Sequence, residues 1–126
     1  MKKIVQVQNL TRPSVPPILA RYCDSFLCQL RGLTFRRSLA DDEGLLLVQH
    51  SDSRLDAAIH MLAMWINLTV VWINSSGAVV DVRRALRWRL AYIPLRPARY
   101  VLEISETHTA DFQIGDQIRI EDILLV

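Results

Sequence analysis

Residues Ala57–Val80 read AAIHMLAMWINLTVVWINSSGAVV, a stretch without formal charge in a chain where 22% of residues are charged. Whatever folds here has this segment at its centre. Two readings compete for it. Ala57 to Ile73 is 17 residues, the lower edge of what a helix needs to cross a hydrocarbon core about 30 Å thick. Against a span, Asn67 and Thr69 interrupt the run, and Asn74-Ser75-Ser76-Gly77 closes it with turn residues instead of basic anchors. Leu68–Ile73 is β-branched and aromatic, which suits a pleated surface. Ala78-Val79-Val80-Asp81-Val82 resumes in the same style after the turn. The stretch therefore predicts a buried β-hairpin, with Leu68, Val70 and Trp72 on one face and no membrane span.

Working outward, Lys3–Gln8 alternates as a strand with Val5 and Val7 inward. Asn9–Pro17 carries three prolines and reads as a loop. Ile18–Cys23 returns as a short strand. Asp24 or Ser25 can cap a helix through Phe26, Leu27, Leu30 and Leu33 that ends at Gly32. Leu45–Val48 is a short buried strand between polar loops. Arg83–Pro97 has no clean period and reads as a long surface excursion. Tyr100–Ser105 alternates with Tyr100, Leu102 and Ile104 inward and Val101, Glu103 and Ser105 outward. Gly115-Asp116 is a tight turn before Gln117–Ile120. Short strands at near-regular spacing predict a mostly β sandwich or barrel, one domain over residues 1–126, with a short helix in the N-terminal third packed outside.

Composition bounds the function. Hydrophobic residues make up 51% of 126, enough for a packed core. Met1–Gln6 starts basic but turns polar at once, with no apolar segment of a secretory signal after it, so a cytoplasmic location is expected. Cys23 and Cys28 lack the spacing of redox or zinc motifs, and two reduced thiols are the plain expectation. Net charge is +2 but segregated: Asp81–Arg99 carries six arginines against one aspartate, and Tyr100–Val126 six acids against one arginine. Arg83, Arg84, Arg87, Arg89, Arg96 and Arg99 around Trp88 and Tyr92 are candidates for gripping a polyanion or nucleic acid. The competing reading is a solvated loop neutralised by the acidic C-terminal strands. Trp88, Tyr92, Ile93 and Leu95 are candidates for a patch that meets a protein partner or a second copy.

The ordered set Asp24-Ser25-Phe26, Arg31-Gly32-Leu33, Gly44-Leu45-Leu46-Leu47, Ile59-His60 with Met64, Val70-Val71-Trp72-Ile73, Gly77, Val79-Val80, Val101-Leu102-Glu103 and Gly115-Asp116 resembles the bacterial and archaeal "domain of unknown function 192" family. The resemblance covers about residues 18–120. It implies a compact β-sandwich of jelly-roll type and no established activity. It also marks His60, Met64 and Thr69 as candidate ligand-binding residues, with Thr69 standing where the family usually has an acid.

Catalytic signals are thin. His60 in an apolar stretch reads as a structural core histidine, with a small enzyme or metal site around it as the alternative. His50 and His108 have acids nearby (Asp52, Asp111) but no metal-ligand spacing. Asp41-Asp42-Glu43 lacks the calcium-loop pattern, and the glycines form no phosphate loop. The expected function is a non-enzymatic binding or protein-interaction module without cofactor or metal.

Overall fold

The computed structural model describes residues 3–123, so Met1 and Lys2, part of the basic start, lie outside the described residues. Seven strands form one sheet: β1 (Ile4–Asn9), β2 (Ile18–Cys23), β3 (Glu43–Ser53), β4 (Leu68–Ile73), β5 (Val79–Ala85), β6 (Ala98–Ser105) and β7 (Ile118–Asp122). Their order is β5-β4-β6-β3-β2-β1-β7. β2 and β3 run parallel, and every other neighbouring pair is antiparallel. Among the described residues the one α-helix is the short α1 (Phe26–Arg31), between β2 and β3. The mostly β chain with one short helix follows the expectation from pattern and resemblance alike.

The central hairpin is β4 and β5, and all six residues of β4 are buried. Side chains alternate across a strand, and each face of β4 meets its own core. Val71 and Ile73 join Val5, Val7, Leu102 and Ile104 in one cluster. Leu68, Val70 and Trp72 join Ile59, Met61, Met64 and Val101 in the other. Full burial of an aliphatic side chain contributes about 1.5–3 kcal/mol, so β4, buried along its whole length and feeding both cores, is a principal anchor of the fold.

The single sheet is curled. Its edge strands β5 and β7 meet at one end, where Ala78 bridges Gln117. There Val79 N–H donates to Asp116 O at 2.9 Å and Ile118 N–H to Gly77 O at 2.8 Å. Asp116 secures this corner. Its Oδ2 accepts from Asn9 Nδ2, Arg12 Nε and the Gln113 backbone N–H, each at 2.9 Å.

The cluster built on Leu68, Val70 and Trp72, the outer core, is covered by chain rather than sheet. Residues 54–67 lie against residues 86–97: Ile59 and Tyr92 exchange backbone hydrogen bonds at 3.0 and 2.8 Å, and Trp88 N–H donates to Met61 O at 2.8 Å. Trp72 ties strand to cover through Nε1–H donating to Ala57 O at 2.7 Å.

Four expectations are corrected here. Val101, Glu103 and Ser105 do not face solvent, because this cover buries the second face of β6 as well. The excursion starts at Leu86, since β5 continues to Ala85. The cap Ser25 and the stop at Gly32 stand as expected, but Phe26, Leu27 and Leu30 are exposed and the helix buries no residue. Cys23 and Cys28 are joined in a disulfide across α1 instead of being free thiols.

Candidate functional site

Glu103 is the anomaly of the outer core. It sits in central strand β6, flanked across the sheet by Leu45 of β3 and Val70 of β4. It is only 5% exposed, and its carboxylate makes no hydrogen bond or ion pair among the described residues. Burial without compensation disfavours the charged form, and it pushes the Glu103 carboxyl from an ordinary 4.5 up to about 7.

The carboxylate faces a pocket of about 70 Å³. Leu33, Leu47, Ile59 and Met64 make apolar walls, and Gln29, Arg31, Gln49, Asp56 and His60 add polar and charged groups. Several devices fix this shape. Gln29 Nε2 donates to Val48 O at 2.9 Å and to Cys23 O at 3.2 Å, which pins α1 onto β3. Gln49 Nε2 donates to Gln29 Oε1 at 3.0 Å, and Arg99 Nε to Gln49 O at 3.1 Å. Gly32 ends the helix at φ +50°, and a Cβ built on it would stand 3.9 Å from Glu103 Oε1. Glycine is favoured here by the positive φ, which ends the helix and brings the chain over the carboxylate.

The structure places the candidate residues as follows. His60 is exposed at the pocket and is no core histidine; the apolar residues around it in sequence point inward while it points out. Met64 is buried in the pocket wall. Thr69 faces away on the opposite side of β4, where its hydroxyl meets Thr109 Oγ1 at 2.8 Å. Two of the three are thus brought together, around an acid the sequence reading placed on a solvent face. Glu103 stood within a quoted motif. The signal that would have found it is the burial of its neighbours Val101 and Leu102 on opposite faces.

The arginines do not converge. Arg83 and Arg84 are consecutive in β5 and take opposite faces. Arg83 pairs with Asp81 at 3.0 Å, and Arg84 with Glu106 at 2.9 Å. Arg87, Arg89 and Arg96 are exposed in the 86–97 segment. In the same segment Trp88 is 52% exposed and meets Trp65 edge to face at 5.9 Å. Leu90 and Leu95 of this segment are exposed too, while the Tyr92 hydroxyl turns inward to accept from Leu86 N–H at 2.9 Å. His108 is buried and structural: Nδ1 lies 2.9 Å from Asp111 Oδ2, and Nε2 meets Asp41 O. Asp52 turns from His50 to hold Ser75. Among the described residues no group of three His, Cys, Asp or Glu could hold a metal ion, and no helix is long and apolar enough to cross a membrane.

Known proteins match this frame. A UPF0127 protein of Thermococcus gammatolerans is 37% identical over 75% of this chain and 61% of its own. Another, from Thermococcus kodakarensis, is 34% identical over 78% of this chain and 62% of its own. The chain thus spans about three fifths of the length of these curated relatives. Two crystal structures share the fold. One, from Sinorhizobium meliloti and described as "a putative transcription regulator", superposes with a TM-score of 0.81 at 19% identity, covering 95% of this chain and 94% of that one. The other, a protein of unknown function from Novosphingobium aromaticivorans, has a TM-score of 0.76 at 20% identity, covering 92% of this chain and 83% of that one. At such identities the likeness is one of fold. The family model DUF192, "Uncharacterized ACR, COG1430", matches residues 7–120, and the chain belongs to that family.

Proposed function

We propose that this chain is a single-domain, non-enzymatic binding module whose site is the pocket over Glu103. One observation carries the reading: a carboxylate 5% exposed, without a protein partner among the described residues, opens onto that pocket. Burying such a group costs free energy unless something compensates it. A fold that carries this cost in a central strand, where an apolar residue would pack without it, has kept the acid for contact with something else. Among the described residues no hydroxyl or thiol hydrogen-bonds Glu103, so no activated nucleophile is assembled on it, and the reading taken here is binding. A small-fragment screen followed by amide resonances of the labelled protein tests this. Hits should move Gly32, Gln49, Ile59 and Glu103, and hits confined to other surfaces would overturn it.

A second reading has its own observation. The exposed Trp65–Trp88 pair, with Leu90 and Leu95 near Trp88 in sequence, supports contact with a protein partner or a second copy through residues 86–97. Concentration-dependent mass, lost in Trp88→Ala, would support it. The polyanion reading is weaker, since Arg83 and Arg84 are paired and on opposite faces. A cytoplasmic location fits the Cys23–Cys28 disulfide only where the cytoplasm tolerates such bonds.

A further inference from the structure

The reading of the pocket as a binding site leaves its ligand chemistry open, and the pocket's own groups narrow it. An anion would meet the Glu103 carboxylate at close range. A divalent metal would need further ligands, and the described residues offer no group of three. The volume of about 70 Å³ admits a few waters or a small functional group. It is far below the roughly 300 Å³ at which sites for whole drug-sized ligands begin. A guanidinium brings five donors on a broad planar fork, a poorer fit to a pocket of about 70 Å³ than a compact head. An ammonium brings three donors on a compact head, and an alkyl chain behind it matches Leu33, Ile59 and Met64. Gln49 donates its amide N–H to Gln29, which leaves its side-chain oxygen free to accept in the pocket that it lines. Thr34 lines the same pocket with a hydroxyl.

Resting on that reading, we infer that the pocket takes a protonated alkylamine, the ammonium set against the Glu103 carboxylate and the alkyl chain against the apolar wall. Such a group could belong to a free amine or to a lysine side chain, and the same pocket chemistry serves both. The other charged or titratable groups lining the pocket are Arg31 from the end of α1, and Asp56 and His60 from the cover; β3 and β4 present none there. Arg31 and Asp56 carry opposite charge, so Glu103 decides the preference.

Binding then couples to the Glu103 proton. Only the ionised carboxylate pairs with an ammonium, and an alkylamine itself stays protonated to about pH 10. With a carboxyl that titrates at about 7, the competent fraction rises from about one in eleven at pH 6 to about ten in eleven at pH 8. Apparent affinity should rise about tenfold over that range.

The test titrates labelled protein with n-butylammonium, n-butanol, butyrate and Nα-acetyl-lysine amide, following Gly32, Ile59 and Glu103 amides. The expected result is saturable binding of n-butylammonium at these residues, about tenfold tighter at pH 8 than at pH 6 and at least tenfold weaker in Glu103→Gln. Equal or tighter binding of the lysine derivative assigns the ligand to peptides, and its exclusion assigns it to free amines; either supports the inference. The pH arm on the unaltered protein keeps the test independent of how well the variant folds. His60→Gln should keep the tenfold pH dependence, and its loss there would give the titration to His60 and overturn the inference. Binding of n-butanol or butyrate as strong as that of n-butylammonium would overturn the ammonium but leave the pocket as a site. No probe moving any pocket resonance would sink both.

Discussion

Glu103 should make this protein less stable as the pH rises through neutrality, and Glu103→Gln should remove that loss. The folded chain holds the Glu103 proton to about pH 7, whereas the ordinary value is 4.5. Between these values the native state binds more protons than the unfolded chain, so stability falls as pH rises through the window. At about 1.4 kcal/mol per pH unit, the gap amounts to about 3 kcal/mol, a large share of the 5–15 kcal/mol typical of a domain. Glutamine keeps the shape and cannot ionise. Its amide brings its own burial cost of about 1–3 kcal/mol, but that cost is the same at every pH. The stability difference between the two proteins should therefore move by about 3 kcal/mol toward the variant between pH 4.5 and pH 8.5. Asp116 and Glu43 also titrate, but they are present in both proteins and cancel. Chemical denaturation with the disulfide intact, at five pH values, measures this. A difference flat to within about 0.5 kcal/mol would refute the account, since Glu103 would then be solvated or paired.

Trp72→Ala should cost about 3–5 kcal/mol in the same assay, because it empties the centre of the outer core and orphans the Ala57 carbonyl; a loss below about 1 kcal/mol would mean that cover and sheet are not packed as described. Replacing both cysteines by serine removes a six-residue loop closure, worth about 2 kcal/mol in the chain-entropy account, and no change would mean that the bond does not form in solution. Heparin retention that survives about 200 mM salt would contradict the split arrangement of the arginines. Release at lower salt, unchanged by replacing Arg83 and Arg84, is the expected behaviour, because both are already paired.

The hairpin could be read from Leu68–Ile73 and the turn after it because both signals are local: β-branched residues, then Asn-Ser-Ser-Gly. The helix ends were legible for the same reason, since Ser25 caps through its own side chain, which accepts from Cys28 N–H at 3.2 Å. What escaped were properties set by distant chain. Alternation in Tyr100–Ser105 separates two faces correctly but cannot say that residues 54–67 cover the second one. That omission sent Glu103 to solvent and His60 to the core, both the wrong way round. The disulfide depends on the short helix folding the chain back between Cys23 and Cys28, and the spacing of five carries no such message. The resemblance brought His60, Met64 and Glu103 into view within its motifs. Thr69 was tied to His60 through the acid the family has at that position, and the register of β4 places it on the other face.

Another buried acid in this fold shows what Glu103 lacks. Asp116 is 4% exposed, as buried as Glu103. Burial alone would raise its carboxyl, but hydrogen bonds from Asn9, the Gln113 backbone and Arg12, together with the Arg12 charge, hold it below the ordinary 3.8. Asp116 therefore contributes stability above pH 3.8 that is lost as pH falls through its lower folded value. Asp116→Asn should flatten that acid loss and cost about 1.5–3 kcal/mol near neutrality, the range for hydrogen bonds to a charged group. Equal stability of the two proteins at pH 7 would show that the corner between β5 and β7 does not depend on the charge. The chain can thus surround a buried carboxylate with donors where the acid serves the fold. At Glu103 it sets Leu45, Val70 and a pocket around one instead. The two groups move in opposite directions: Asp116 has donors and a cation around it, whereas Glu103 is more deeply desolvated, has no partner among the described residues and opens onto the pocket.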